Sequence, residues 1–181
     1  MNLPIAITNL IKEDNSFDVL AWASARINLL GEHIDYNHGF VLPASIQFKT
    51  LAGIKFNNKN EFRFSSDHHP IVVIEQIQKQ SGDKAWVNYL LGVIDKFSQH
   101  GISIPFFDCT FISNIPVGAG LSSSAALSCS FALALQNFLG LNFSLEELAK
   151  IAQWSEHEYA GVKCGLMDQT ASLQGKASHV L

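Results

Sequence analysis

No stretch of this chain approaches the ~20 uninterrupted apolar residues of a membrane span, and its first residues lack the basic-then-apolar layout of an export signal. Cysteine is scarce. Cys109, Cys129 and Cys164 are odd in number and form no C-x-x-C pair, which argues against a disulfide framework or a zinc ribbon. Basic charge is short as well: 12 Lys and Arg stand against 16 Asp and Glu, a net charge of -4, so no general field exists to hold nucleic acid or an anionic membrane. Repeats, low-complexity tracts and Pro/Gly/Ser-rich linkers are missing, so one compact unit is the simpler reading of the chain. The expectation is a soluble cytoplasmic protein that holds any phosphate by local chemistry.

What is present is 48% hydrophobic content in 181 residues, enough for an ordinary core. Short runs rich in β-branched and aromatic residues at 17–23, 26–30, 48–56, 62–65 and 71–74 read as strands, several of them antiparallel neighbours. Between 84 and 100 the period changes: Trp86, Tyr89, Leu90, Val93, Ile94 and Phe97 recur at the spacing of one helix face, ended by Gly101. Another strand is expected at 106–112, then a glycine turn and a buried helix over 123–139 closed by Gly140. Ser144 and Glu147 form a capping box that predicts a helix over 145–159, stopped by Gly161. Residues 176–181 read as the opening of a further strand. Strands first and helices later imply an α+β layout with helices packed on one sheet face.

Three segments carry chemistry. In IPVGAGLSSSAAL (115–127) a strand meets a glycine turn and three serines that open a helix. Gly118 and Gly120 free backbone N–H groups to approach a phosphate, the helix dipole points at the same place, and a serine hydroxyl can reach a metal ion. A plain turn with serine caps accounts for the same residues; a P-loop lysine is absent. In ASARINLLGEHIDYNHGFVLP (23–43), Glu32, His33 and Asp35 crowd just after a strand, which suits either a sugar's paired hydroxyls or a polar turn. In QWSEHEYAGVKCGLMDQTAS (153–172), Glu156 is a suitable Mg²⁺ donor. Asp168 there either caps a short helix or serves as a base, and spacing by itself favours the cap.

Together, in this order, the three segments resemble the galactokinase family of GHMP kinases over residues from about 19 to 181. GEHIDYNHGFVLP is similar to its galactose-binding signature, VGAGLSSSAA to its ATP-phosphate loop, and EHEYAGVKCGLMDQ to the segment with its metal and catalytic carboxylates. The resemblance implies the GHMP-kinase N-terminal fold, a mixed sheet like that of ribosomal proteins with helices on one face. It implies Asp168 as catalytic carboxylate with Arg26 as partner, and Glu32, His33, Asp35 and Gly165 around D-galactose. ATP would lie on Gly118, Ala119, Gly120, Leu121, Ser122, Ser123 and Ser124, with Mg²⁺ on Ser124 and Glu156. Trp86, in WVNY, fits either an adenine wall or ordinary core packing.

One departure matters. The family commonly has Pro-Gly before the arginine, whereas this chain has Ser24-Ala25; if that glycine supplies a positive φ, alanine costs stability or shifts Arg26. Family members also carry a second domain with another glycine-rich loop. Residues 1–181 are therefore expected to form the N-terminal domain without its C-terminal partner, inactive alone. Two rival functions share the resemblance: an N-acetylhexosamine kinase and a non-catalytic sugar and ATP sensor. Nothing in the sequence sets an oligomeric state.

Overall fold

The computed structural model describes residues 17–31, 34–37, 39–116 and 118–181. Among the described residues there are five strands, β1 (Val19–Asn28), β2 (Pro43–Phe56), β3 (Phe62–Ser66), β4 (Val72–Ile74) and β5 (Phe107–Ser113), with burial alternating along β3, β4 and β5. They form one mixed sheet in the order β1-β2-β5-β3-β4. Only the β3–β5 pair is parallel. That pair needs a crossover, and the chain supplies it through β4 and the helix α1 (Asn88–Gln99).

Helices α2 (Ser123–Phe138), α3 (Leu145–Ser155) and α4 (Met167–Gln174) complete the layer on one face of the sheet. α1 offers the apolar stripe that its periodicity announces, burying Leu90, Leu91, Val93, Ile94 and Phe97. α2 is buried nearly all round, and its Phe131 meets Phe64 and Phe107 of the sheet with ring centroids 6.0 and 5.9 Å apart. Each such side chain contributes roughly 1.5–3 kcal/mol of burial. At Gly92 the α1 backbone runs so close to α3 that a Cβ would lie 2.7 Å from the Ser155 Cα.

Several expectations change. The runs at 17–23 and 26–30 are one strand, β1, because the Ser24-Ala25 step is absorbed on the partner side: Ser24 pairs with Lys49 but Arg26 with Ser45. The two extra residues bulge from β2, and Ile46 and Phe48 pack against the small cluster that holds the fully buried Ala25. Ala25 has no positive φ, so alanine is not strained there. The helix expected over 145–159 is α-helical only to Ser155 and then widens into a π-turn, Glu156–Ala160, ended by Gly161 at φ 73°. Residues 176–181 form a turn about Ser178 rather than a strand, with one backbone bond from Leu181 N–H to the Pro43 carbonyl, 2.9 Å. No helix among the described residues is long and apolar enough to cross a membrane.

Candidate active site

The site is assembled where three elements end on one side of the sheet. β1 carries Arg26 near its end, the turn 118–122 leads into α2, and Asp168 sits in the first turn of α4. A small apolar cluster of Ala25, Ile115 and Ala126, with Leu121 against it, locks the turn to the end of β1. Arg26 N–H also donates to the Leu121 carbonyl, 3.3 Å.

Arg26 and Asp168 form a bidentate pair, Nε to Oδ1 at 2.6 Å and Nη2 to Oδ2 at 2.8 Å, with both side chains largely shielded (15% and 22% exposed). Nη1 of the same guanidinium donates to the Gly120 carbonyl, 3.0 Å. Ser122 Oγ donates to Asp168 Oδ2, 2.5 Å. One arginine and one carboxylate thus hold the turn at Gly120 and at Ser122. The competing role of helix cap is not taken up by Asp168: α4 begins with no side-chain cap bond, and the carboxylate is spent on Arg26 and Ser122.

The turn itself is bent by left-handed residues, Gly118 at φ 72° and Gly120 at 70°, each with open space where a Cβ would stand. Ser122 adopts the same region at φ 57° without being glycine, a conformation costing roughly 1–2 kcal/mol for an L-residue. That geometry turns its hydroxyl toward Asp168 and leaves the first amides of α2 without helical partners, ready for an anion.

Beside the α2 start lies a cavity of about 290 Å³ lined by Ser123, Ser124, Thr50, Phe111, Trp86 and His69. Trp86 lies between the core and this cavity. It packs edge-on against Phe111 with centroids 6.2 Å apart, and it stacks on His69 at 5.1 Å and 13° on the cavity wall. Its indole Nε1 is buried without a hydrogen-bond partner among the described residues.

Glu156 opens the π-turn and is 2% exposed. Burial pushes its pKa up; the Gln169 and Ser124 side chains oppose that shift, while the charge of Asp168 adds to it. Among the described residues no lysine or arginine pairs with it. Gln169 Nε2 donates to its Oε1 at 2.7 Å. Around the π-turn the loop 161–166 is braced by Gln153 Nε2 to the Cys164 carbonyl, 3.2 Å, and Val162 N–H to the Glu156 carbonyl, 2.9 Å. The Cys164 thiol is raised to about 11, first by burial and then by the Glu156 charge.

Asp35 lies in a short 3-10 turn, Asp35–Asn37, at the end of the β1–β2 hairpin, and its carboxylate abuts Gly165 so closely that any Cβ at 165 would overlap it. The structure thereby brings Asp35 and Gly165 together, and Arg26, Gly120, Ser122 and Asp168 together, with Ser124 and Glu156 adjoining. Glu32 and His33 lie outside the described residues. Sequence reasoning missed Gln169, whose partner is thirteen positions away, and missed Ser122 as a partner of Asp168.

Residues 88–176 match the model of the GHMP kinases N terminal domain, and residues 12–56 match the galactokinase galactose-binding signature. The chain belongs to the GHMP kinase family. This GHMP kinase chain is 39% identical over 160 residues to the galactokinase of Thermotoga maritima, covering 88% of itself and 44% of that protein. It is 40% identical over 166 residues to the galactokinase of Bacillus subtilis, covering 88% of itself and 42% of that protein. Its structure superposes on Lactococcus lactis galactokinase complexed with galactose with a TM-score of 0.83 and 29% identity, covering 96% of this chain and 46% of that one. The GHMP kinase chain thus spans less than half the length of the curated relatives it matches.

Proposed function

We propose that residues 1–181 form the N-terminal, sugar- and ATP-phosphate-binding domain of a cytoplasmic galactokinase. Its reaction would move the γ-phosphoryl group of ATP to the anomeric hydroxyl of D-galactose, giving galactose 1-phosphate and ADP. The observation that carries this reading is the Arg26–Asp168 fork pinned to the glycine turn by Gly120 and Ser122, which sets a carboxylate beside an anion-binding helix start.

In this reading the galactose hydroxyl takes the place that the Ser122 hydroxyl holds on Asp168 Oδ2. Asp168 orients that hydroxyl and accepts its proton, while Arg26 holds the carboxylate in place and lies next to the phosphoryl group in flight. The amides of the turn and of Ser123 and Ser124 hold the phosphates, and Trp86 walls the nucleotide cavity. Asp35 and Gly165, with Glu32 and His33, contact the sugar.

Glu156 fits a divalent cation: it is a buried carboxylate whose hydrogen-bond partner, the Gln169 amide, is neutral, and a nearby positive charge would favour its charged form. Glu156 and the Ser124 hydroxyl would hold Mg²⁺, which takes one or two carboxylates beside phosphate oxygens and water and would neutralise charge on the β- and γ-phosphates.

The test is ADP release by the full-length polypeptide with galactose, N-acetylgalactosamine and glucose in parallel. Turnover with galactose and loss of about 10²–10⁴-fold in Asp168→Asn, with sugar binding retained, are expected. Near-normal rates in that variant would refute the assignment of Asp168, and turnover with N-acetylgalactosamine alone would move the substrate to N-acetylhexosamines.

A further inference from the structure

Gln169 is fully buried, directly after Asp168 on α4. Its primary amide spends both faces of the donor on the neighbouring loop and π-turn: Nε2 lies 2.7 Å from Glu156 Oε1 and 3.5 Å from Cys164 Sγ. Its own carbonyl oxygen, Oε1, is buried with no hydrogen-bond partner among the described residues. The opposite orientation of the amide would set that carbonyl against the Glu156 carboxylate, two acceptors face to face. An apolar side chain of the same shape would remove the orphaned acceptor altogether, which packing by itself favours. What the amide adds over such a side chain is the N–H group it gives Glu156.

We infer that Gln169 is a positioning residue for the Mg²⁺-binding carboxylate of Glu156, holding one of its two oxygens so that the carboxylate faces the Ser124 end of the site. The inference rests on the kinase reading for the identity of the metal. Three elements meet through this one side chain: α4, the loop at Cys164 and the π-turn that begins at Glu156. The π-turn is where a helix spacing is locally altered, and the 2.7 Å bond from Gln169 ties the Glu156 side chain at its start to α4. Outer-shell partners of this kind fix ligand orientation, and their loss typically weakens metal affinity about 10–100-fold.

Mn²⁺ binding to the full-length polypeptide in the presence of ATP, followed by the paramagnetic signal of free Mn²⁺, separates positioning from packing. Gln169→Met, which fills the same volume without donor or acceptor, is expected to bind Mn²⁺ about tenfold more weakly or worse while its KM for galactose stays unchanged and kcat falls. A folded Gln169→Met protein with wild-type Mn²⁺ affinity overturns the inference. If Gln169→Met does not fold, Gln169→Asn, which keeps an amide in the core but withdraws it by one methylene from Glu156, is held to the same two outcomes. Because Mn²⁺ binding needs no turnover, a wild-type protein that binds Mn²⁺ but releases no ADP with any sugar would fail the kinase reading and leave this one standing.

Discussion

The guanidinium of Arg26 and the carboxylate of Asp168, 142 residues apart in the chain, meet as a two-point fork, Nε to Oδ1 at 2.6 Å and Nη2 to Oδ2 at 2.8 Å. The third nitrogen of the same group reaches the Gly120 carbonyl, so a single side chain sets both the angle of the carboxylate and the place of Gly120 in the glycine turn. Planarity is what makes this possible, because the guanidinium offers its donors in one fixed fan.

Replacing the fan by a point charge should therefore separate charge from geometry. Arg26→Lys keeps a cation but cannot bridge Oδ1, Oδ2 and the Gly120 carbonyl together. Turnover is expected to fall about 10²–10³-fold with the KM for galactose changed little, as measured by steady-state kinetics on the full-length polypeptide. A rate within a few-fold of wild type would show that the fork is not used in the reaction.

Ser122 carries a left-handed backbone and a hydroxyl bond to Asp168, and two substitutions pull these apart. Ser122→Gly relieves the backbone and Ser122→Ala does not, while both lose the hydroxyl. Chemical denaturation should find the glycine variant more stable than the alanine variant by about 1 kcal/mol. Equal stabilities would mean that the turn relaxes on losing the hydroxyl.

Gly92 sits where α1 touches Ser155, one residue before Glu156. Gly92→Ala drives a Cβ into the Ser155 backbone, an overpacking that should cost about 1–3 kcal/mol in thermal or urea unfolding. Because the same displacement moves Glu156, the Mg²⁺ concentration needed for half-maximal activity should rise as well. Wild-type stability would show that α1 and α3 can separate freely.

The capping box at the start of α3 provides a pH signature. Ser144 N–H donates to Glu147 Oε2 at 2.8 Å and Glu147 N–H to Ser144 Oγ at 3.2 Å. The hydroxyl and then the backbone N–H of Ser144 hold the Glu147 pKa below its ordinary value. Its folded value lies below its unfolded one, so the stabilisation is present above the usual carboxylate range and is lost as pH falls through the folded value. Glu147→Gln should flatten this part of the stability–pH curve below about pH 4.5, measured by thermal unfolding across pH 3–7. Ser144→Ala should cost about 1 kcal/mol at neutral pH. An unchanged acid limb in Glu147→Gln would assign that limb to other carboxylates.

Periodicity and punctuation made most elements legible. The α1 stripe, the Ser144–Glu147 cap and the glycine stop at Gly161 are local signals, set by side chains three or four positions apart, and they appear in the structure where the chain announces them. The union of 17–23 and 26–30 into β1 was not legible, because the irregularity near Ser24-Ala25 is accommodated in the partner strand β2. The strand expected at 176–181 failed for a related reason: an apolar ending shows a tendency to extend, but a strand needs a neighbour in register along its length, and here one backbone bond is made.

The candidate site divides in the same way. Residue types and local spacing alone marked a glycine turn opening a helix, a carboxylate at Glu156 and another at Asp168, because anion-binding amides and hard-oxygen donors are properties of short segments. Whether Asp168 caps its own helix or faces an arginine was beyond local reach, and so was the choice of Gln169 as the partner of Glu156. Those pairings depend on which strand and helix ends the sheet brings side by side. Only the tertiary structure could settle them, since a hydrogen bond of under 3 Å between groups 142 residues apart leaves no periodic trace in the chain.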